Sequence, residues 1–409
     1  MIREVVIVSG CRTAVGKFGG TISAIPAPEL GAVVIREAVR RAGIEPALVD
    51  EVFMGCVVPA GLGQAPARQA AIKAGLPPEI GATTINKVCG SGLKTVMIAS
   101  AMIQAGDAEI IVAGGMENMD LAPFYLPRAR SGYRMGGIAK GQPGGAVPDG
   151  LIDGMVLDGL WCAFANHHMG SSAEWVARKF GLTRQELDEY AYNSQRKAVE
   201  AQDGGRFKPE IVAVEIPQRK GPPLVFDTDE NPRRYASREE AMAQLGKLPP
   251  AFEPDGIVTA GNAPGITDGA AAVVVMSADK ARELGLQPLA RVAAYGQAAV
   301  EPIALFTAPI YAVQKVMKKQ GLSIDAYDLI EANEAFAAQA VANGKGLGWD
   351  WDRVNVNGGA IALGHPIGCS GARILVTLLY ALKDRNLRTG IATLCLGGGE
   401  AVALSVERL

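Results

Sequence analysis

A chain of 409 residues is too long for one ordinary core and predicts two or three folding units. Charged residues make up 20% and hydrophobic ones 49%, less charge than the roughly 25% usual in soluble domains, which points to a large core, buried oligomer contacts, or both. The net charge of −2 is spread without any block of one sign, which excludes a nucleic-acid surface, and no apolar run of about 18 residues stands out, so no membrane span is expected.

Met1-Ile-Arg-Glu runs straight into a strand-like stretch, Val5–Ser9, so no signal peptide is expected. Glu29–Ala42 then sets Leu30, Val33, Val34 and Ala38 on one helical face closed by Gly43. Strands follow at Glu51–Met54 and Thr83–Asn86, and helices at Pro66–Ala74 and Gly92–Gln104. A strand at Glu109–Ala113 opens into Gly114-Gly115. The last third repeats the rhythm, with strands at Arg291–Tyr295, Asp328–Glu331, Val354–Val356, Ile391–Leu396 and Ala401–Val406. Its helices are Ile310–Lys319, Glu334–Asn343 and Ser370–Lys383. Two halves of similar βα layout predict an internal duplication, with mixed sheets covered by helices. The middle, from Met119 to Gly265, breaks the pattern. It carries helices at Ser172–Phe180 and Arg184–Gln202, the second opened by a Thr183/Glu186 capping box, and is predicted to be an inserted lid or binding region.

Glycine is abundant, 50 of 409 or about 12% against a usual ~7%. It clusters in pairs and triplets that suit tight turns beside a ligand. Six cysteines form no CxxC pair, so most read as buried small hydrophobes in a reducing, cytoplasmic setting. Cys89 differs: it precedes a helix and is followed by Gly90 and Gly92, and a helix N-terminus favours the thiolate. The alternative for it is a structural cysteine in a strand–helix turn. Among only three histidines, His365 is held between Gly364 and Pro366 and suits a base or an oxyanion donor, or else a plain surface loop. His167 and His168 are adjacent on the chain and so poorly placed to share a metal, and none is expected. Asn333 and Cys395, like Cys89 and His365, fall where a strand is predicted to end, the edge at which ligands gather in open α/β sheets.

Together these blocks resemble the thiolase family, in particular its acetyl-CoA acetyltransferase type. The motifs are Arg12-Thr-Ala-Val-Gly-Lys-Phe18, Asn86-Lys-Val-Cys-Gly-Ser-Gly92, Ala113-Gly-Gly-Met-Glu-Asn118, His168-Met-Gly170 and Val258-Thr-Ala-Gly-Asn-Ala263. Glu331-Ala-Asn-Glu-Ala-Phe336, Asn357–Gly368 and Cys395-Leu-Gly-Gly-Gly399 complete the set. The resemblance implies an α/β, five-layered αβαβα fold of two duplicated halves. It places an N-terminal half at 1–118, completed by about 266–289, an inserted loop domain at 119–265 for coenzyme A binding and oligomer contacts, and a C-terminal half at 290–409. It implies that Cys89 is acylated and that His365 takes its proton. Asn333 would position a water, Cys395 would move the α-carbon proton, and the N–H groups of Cys89 and Gly397 would form an oxyanion hole. His168, Met169, Arg233, Leu248, Ala251, Phe252, Ala260, Gly265, Ala335 and Phe336 would line the coenzyme A path, with Arg233 and Arg234 facing its nucleotide.

The implied reaction is the reversible condensation of two acetyl-CoA to acetoacetyl-CoA and CoA. The alternative is a degradative thiolase acting on longer 3-oxoacyl-CoA. A cysteine hydrolase and a non-catalytic CoA-binding protein are rivals of other classes. Acyl-CoA and CoA would be the only partners, with no tightly bound cofactor, nucleic acid or membrane, and the assembly a homotetramer built as a dimer of dimers. The Pro127–Met135 loop matches the position of tetramer contacts in relatives. Three departures from the family pattern bear on the substrate: Pro264 in place of serine, Phe124 in place of histidine, and Glu400-Ala401 after the last glycines. The segment Gly136–Asp149 is also longer and richer in glycine than the pattern.

Overall fold

The computed structural model describes residues 3–127, 129–131 and 150–409. The Gly136–Asp149 segment, and most of the Pro127–Met135 loop, lie outside them. In the N-terminal half, β1 (Val5–Thr13), β2 (Glu51–Gly55), β3 (Gly81–Ile85), β4 (Ile110–Asn118) and β5 (Thr267–Ser277) form a mixed sheet in the order β3-β2-β4-β5-β1. All residues of β1, β4 and β5 are buried, as continuous apolar strands are when helices cover both faces. The C-terminal half repeats this plan with β6 (Ala290–Ala299), β7 (Leu329–Ala332), β8 (Thr389–Leu396) and β9 (Glu400–Arg408), in the order β7-β8-β9-β6. The two sheets join through a short pairing of β1 with β6, Val6 opposite Arg291 and Ile7 opposite Ala290.

Helices α1 (Ala27–Ala42) and α2 (Pro66–Lys73) cover one outer face, while α3 (Ser91–Ala105) packs inside. In the middle segment lie α4 (Met169–Lys179), α5 (Arg184–Asp203) with the expected Thr183/Glu186 capping box, and α6 (Arg238–Leu245), a helix capped by Ser237 that the sequence pattern did not announce. Helix α7 (Ala308–Gln320) covers the second outer face, α8 (Ala337–Leu347) packs against α4 and α5, and α9 (Ile367–Asp384) lies against α3. The result is five layers, αβαβα, with α3 and α9 in the centre. Their contact is close: a Cβ on Gly371 would lie 2.3 Å from the Leu93 nitrogen, and one on Gly115 of β4 2.0 Å from the Gly368 carbonyl oxygen. Only glycine permits these approaches.

Four expectations need correction. The stretch Val88–Ala105 is long and apolar enough on average to cross a membrane, contrary to the reading that nothing in the chain is; it is the central helix α3 with its entry turn. No strand forms at Val354–Val356. Asn355 has φ of +45°, and its side chain accepts from the Ala332 N–H at 2.9 Å and donates to the Ala332 carbonyl at 2.8 Å. An amide side chain thus takes the place of strand pairing at the edge of β7, where only the bridge Ile330–Val354 remains. The helix expected from Glu334 starts at Ala337, because Phe336 is extended (φ −157°). Finally, β4 does not open at Gly114-Gly115 but runs through both to Asn118, paired along β5.

Candidate active site

Between β3 and α3 the chain makes a strained turn. Val88 has φ of +46°, a left-handed conformation that β-branched residues rarely adopt and that costs on the order of 1–3 kcal/mol. Neighbouring bonds hold it there. The Asn86 side chain accepts from the Val88 N–H at 3.0 Å, and Ser91 Oγ accepts from the Lys87 N–H at 2.8 Å and donates to the Val88 carbonyl at 2.6 Å. The turn carries Cys89, the one cysteine of the six that is not fully buried. Burial pushes its thiol up to about 12, although N–H groups of Gly397 and of Cys89 itself favour the thiolate. The N–H groups favour the thiolate, as expected of a helix N-terminus, but desolvation outweighs them. This thiol needs a base to become a nucleophile.

His365 lies between the short helix Ala360–Leu363 and α9, not at a strand end as the sequence suggested. Gly364 before it has φ of +107°, and a Cβ there would meet the Thr267 side chain at 2.5 Å. Burial first, and the positive charge of Arg373 second, push the imidazole down to about 3, so it is neutral near pH 7. Its Nδ1 is 2.6 Å from Ser370 Oγ, and its Nε2 is 3.4 Å from the Asn333 amide nitrogen. Asn333 follows β7 and is fully buried, and its Oδ1 has no hydrogen-bond partner among the described residues. Cys395, near the end of β8, is buried, and burial together with the nearby Cys89 raises its thiol well above the ordinary value.

Cys89, His365, Cys395 and Gly397 line one cavity of about 250 Å³. Its remaining walls are mostly apolar, the usual character of a small-molecule site. Met119, Leu160, Ile266 and Ile367 come from one packed apolar cluster, and Leu305, Phe306, Ala335 and Phe336 from another. Phe306 and Phe252 each meet Phe336 edge-on, and Phe252 stacks on His168 at 4.8 Å. Asn333 reaches His365 without being part of the wall. The duplication explains why such distant residues meet. Cys89 and His365 each stand two residues before a central helix, and those helices pack glycine against backbone.

Two contributors were missed from sequence. Glu117, buried in β4, accepts from the N–H groups of Val57 at 2.9 Å, Val58 at 3.1 Å and Gly368 at 2.8 Å. It ties the start of α9 to the end of β2, and burial pushes its carboxyl up to about 7. An acidic residue closing an apolar strand was the available signal. Ser370 carried none, because its role depends on the first turn of α9 folding back on His365.

The chain matches the family models described as thiolase, N-terminal domain, over residues 5–279, and thiolase, C-terminal domain, over residues 286–408. The chain belongs to the thiolase family. Among similar proteins is an acetyl-CoA acetyltransferase of Pseudomonas aeruginosa, 56% identical over 407 residues and covering 100% of both chains. Another of the same name, from Escherichia coli, is 52% identical over 410 residues, again over 100% of both. The crystal structure of the Bacillus anthracis acetyl-CoA acetyltransferase superposes with a TM-score of 0.93 at 41% identity, covering 100% of this chain and 99% of that one.

Of the residues that the thiolase resemblance assigns to coenzyme A, the structure places His168, Met169, Phe252, Gly265, Ala335 and Phe336 on the cavity wall. Leu248, Ala251, Ala260 and Arg233 are not on it. Three of them lie close by in the chain's folding: the Leu248 side chain packs near Gly261, the neighbour of Ala260, and the Ala251 N–H donates to the Val258 carbonyl at 2.9 Å. Arg233 is exposed. The expected charge of Arg234 is offset by Asp203, a pair at 2.6 Å. Pro264 lines the cavity, but Phe124 and Glu400 do not, which corrects the idea that these two reshape it. Phe124 pairs with Asp153 in a small surface ribbon, and Glu400 forms an ion pair with Lys87 at 2.7 Å. His167 bonds Ser172 at 2.8 Å, and His168 Nδ1 accepts from the Gly170 N–H at 3.0 Å. Neither shares a cluster of three or more metal-type ligands among the described residues.

Proposed function

We propose that the protein is an acetyl-CoA C-acetyltransferase that joins two acetyl-CoA into acetoacetyl-CoA and CoA, reversibly, through an acyl group on Cys89. The observation that carries this reading is the meeting of two thiols and a neutral imidazole on one apolar cavity. Hydrolysis needs one nucleophile and one base. A second buried thiol suits carbon chemistry, where a proton must also leave an α-carbon.

In the first half, Cys89 Sγ attacks the thioester carbonyl as His365 Nε2 takes its proton. The tetrahedral oxyanion is held by the Cys89 and Gly397 N–H groups. The carbon–sulfur bond to CoA breaks, and Cys395 gives its proton to the departing CoA thiolate. In the second half, the Cys395 thiolate removes an α-proton from the second acetyl-CoA, while the His365 imidazolium and a water held by Asn333 stabilise the enolate oxygen. The α-carbon attacks the acetyl group, the Cys89 thiolate leaves, and His365 returns its proton. All groups end as they began. CoA thioesters enter as substrates, and no further cofactor takes part. Residues 119–265, with the aromatic wall of His168 and Phe252, provide the coenzyme A surface.

The apolar wall and the modest cavity favour short acyl groups. Thiolysis rates measured across 3-oxoacyl-CoA lengths are expected to peak at four carbons and fall at least about 10-fold by eight. A maximum at medium or long chains would replace this reading with the degradative one. We further propose a cytoplasmic homotetramer. Six unpaired thiols fit a reducing compartment. Phe124 and Phe164 are 60% and 73% exposed on the middle segment, apolar area that subunit contacts would cover. Light scattering giving the mass of one chain would defeat the tetramer.

A further inference from the structure

Ser370 Oγ is 2.6 Å from His365 Nδ1 and 2.8 Å from the Pro366 carbonyl oxygen, and the residue is fully buried. A hydroxyl has one proton, and a carbonyl oxygen only accepts. The Ser370 proton therefore goes to Pro366, and its lone pair faces His365. Nδ1 must then carry the proton of the neutral ring, and the one basic nitrogen left is Nε2. The same serine also donates its backbone N–H to the Pro366 carbonyl at 2.9 Å, so hydroxyl and amide together hold the residue next to the imidazole.

We propose that Ser370 is a positioning residue that locks His365 in the Nδ1–H tautomer and so leaves Nε2 free to take the Cys89 proton. The proposal rests on the reading of His365 as the base. The arrangement follows a general rule: a base is aimed by the bond its other nitrogen makes. Arg373 lies one helical turn beyond Ser370 on α9, and its charge discourages a second proton on the ring. No other hydroxyl or carboxylate is bonded to Nδ1 among the described residues. Without Ser370 the one remaining contact is the Asn333 amide nitrogen, 3.4 Å from Nε2 and 3.5 Å from Nδ1, a donor that barely distinguishes the two nitrogens, so the Nε2–H form, which cannot accept from Cys89, gains population.

The test is nitrogen-15 NMR on the full chain labelled at histidine. Only three histidines are present, and comparison with a His365→Asn sample assigns the ring. Nitrogen shifts distinguish a protonated from a bare nitrogen. The wild type should show His365 protonated at Nδ1 and bare at Nε2. Ser370→Ala should raise the Nε2–H population and lower kcat by on the order of 10- to 100-fold, with KM for acyl-CoA within about 2-fold because the substrate wall is untouched. Ser370→Thr, which keeps the hydroxyl, should restore both tautomer and rate. An Nε2–H ring in the wild type, or an unchanged tautomer in Ser370→Ala, would overturn the lock. The wild-type spectrum decides even if the alanine variant does not fold. A tautomer that moves while kcat holds would leave the lock standing and remove His365 as the base.

Discussion

Cys89→Ala should lower kcat by on the order of 10⁴-fold or more, the scale seen when a covalent nucleophile is removed. Acyl-enzyme should vanish from the mass spectrum after acetyl-CoA is added, while calorimetric CoA affinity stays within a few fold. The separation follows from the layout. Removing Sγ deletes the atom that bonds the acyl carbon, but Val88 and its supporting bonds to Asn86 and Ser91 remain. The stack of His168 on Phe252 and the edge contact with Phe336 stay in place. Folding should be little affected, since Cys89 is the only cysteine not fully buried. Turnover at the wild-type rate would end the nucleophile assignment. Loss of CoA binding along with turnover would mean that the turn at Val88 had collapsed. The milder Cys89→Ser then separates the cases, because it keeps the turn's packing and replaces only the sulfur.

How much of this was legible beforehand differs by the kind of interaction. Strands β1, β8 and β9 and helices α1, α3, α5 and α7 follow from local apolar patterning and from caps at Gly43, Thr183 and Gly321, which act within a few residues. The placement of Cys89, His365, Cys395 and Gly397 on one cavity wall was read from motifs, and each motif is short and local. What stayed hidden depends on contacts distant in sequence. Asn355 imitates a strand partner of Ala332, 23 residues away, so the two valines that flank it, Val354 and Val356, looked like an ordinary strand. Strand β5 is rich in alanine, and its partners β4 and β1 lie far back along the chain. Glu117 serves Val57 and Gly368, the latter 251 residues away. The desolvation of Cys89 was hidden for the same reason: a helix end is visible in sequence, whereas the depth of burial is a property of the assembled layers.

The duplication also bears on how the two thiols differ. Cys89 sits in a turn where backbone N–H groups can meet charge, while Cys395 lies within β8 with its neighbours buried. A thiol surrounded by apolar groups is costly to ionise, and once ionised it is a strong base. Such a group suits an α-proton better than it suits attack on a carbonyl.

Cys395→Ala should therefore divide the reaction. Acetyl transfer to Cys89 should persist at a reduced rate, because CoA thiolate can take its proton from water instead. Condensation, and the exchange of α-protons for deuterium in a second acetyl-CoA, should fall by on the order of 10³-fold or more, since the one other thiol on the cavity wall, Cys89, carries the acyl group. His365 cannot substitute: in this half of the reaction its ring already carries the proton taken from Cys89 and holds the enolate oxygen. Mass spectrometry of the acyl-enzyme and deuterium exchange read the two halves separately. Wild-type exchange in this variant would remove Cys395 from the carbon–carbon step. Loss of acylation together with exchange would show that the two thiols act as one coupled unit, so that no division between nucleophile and base could be drawn.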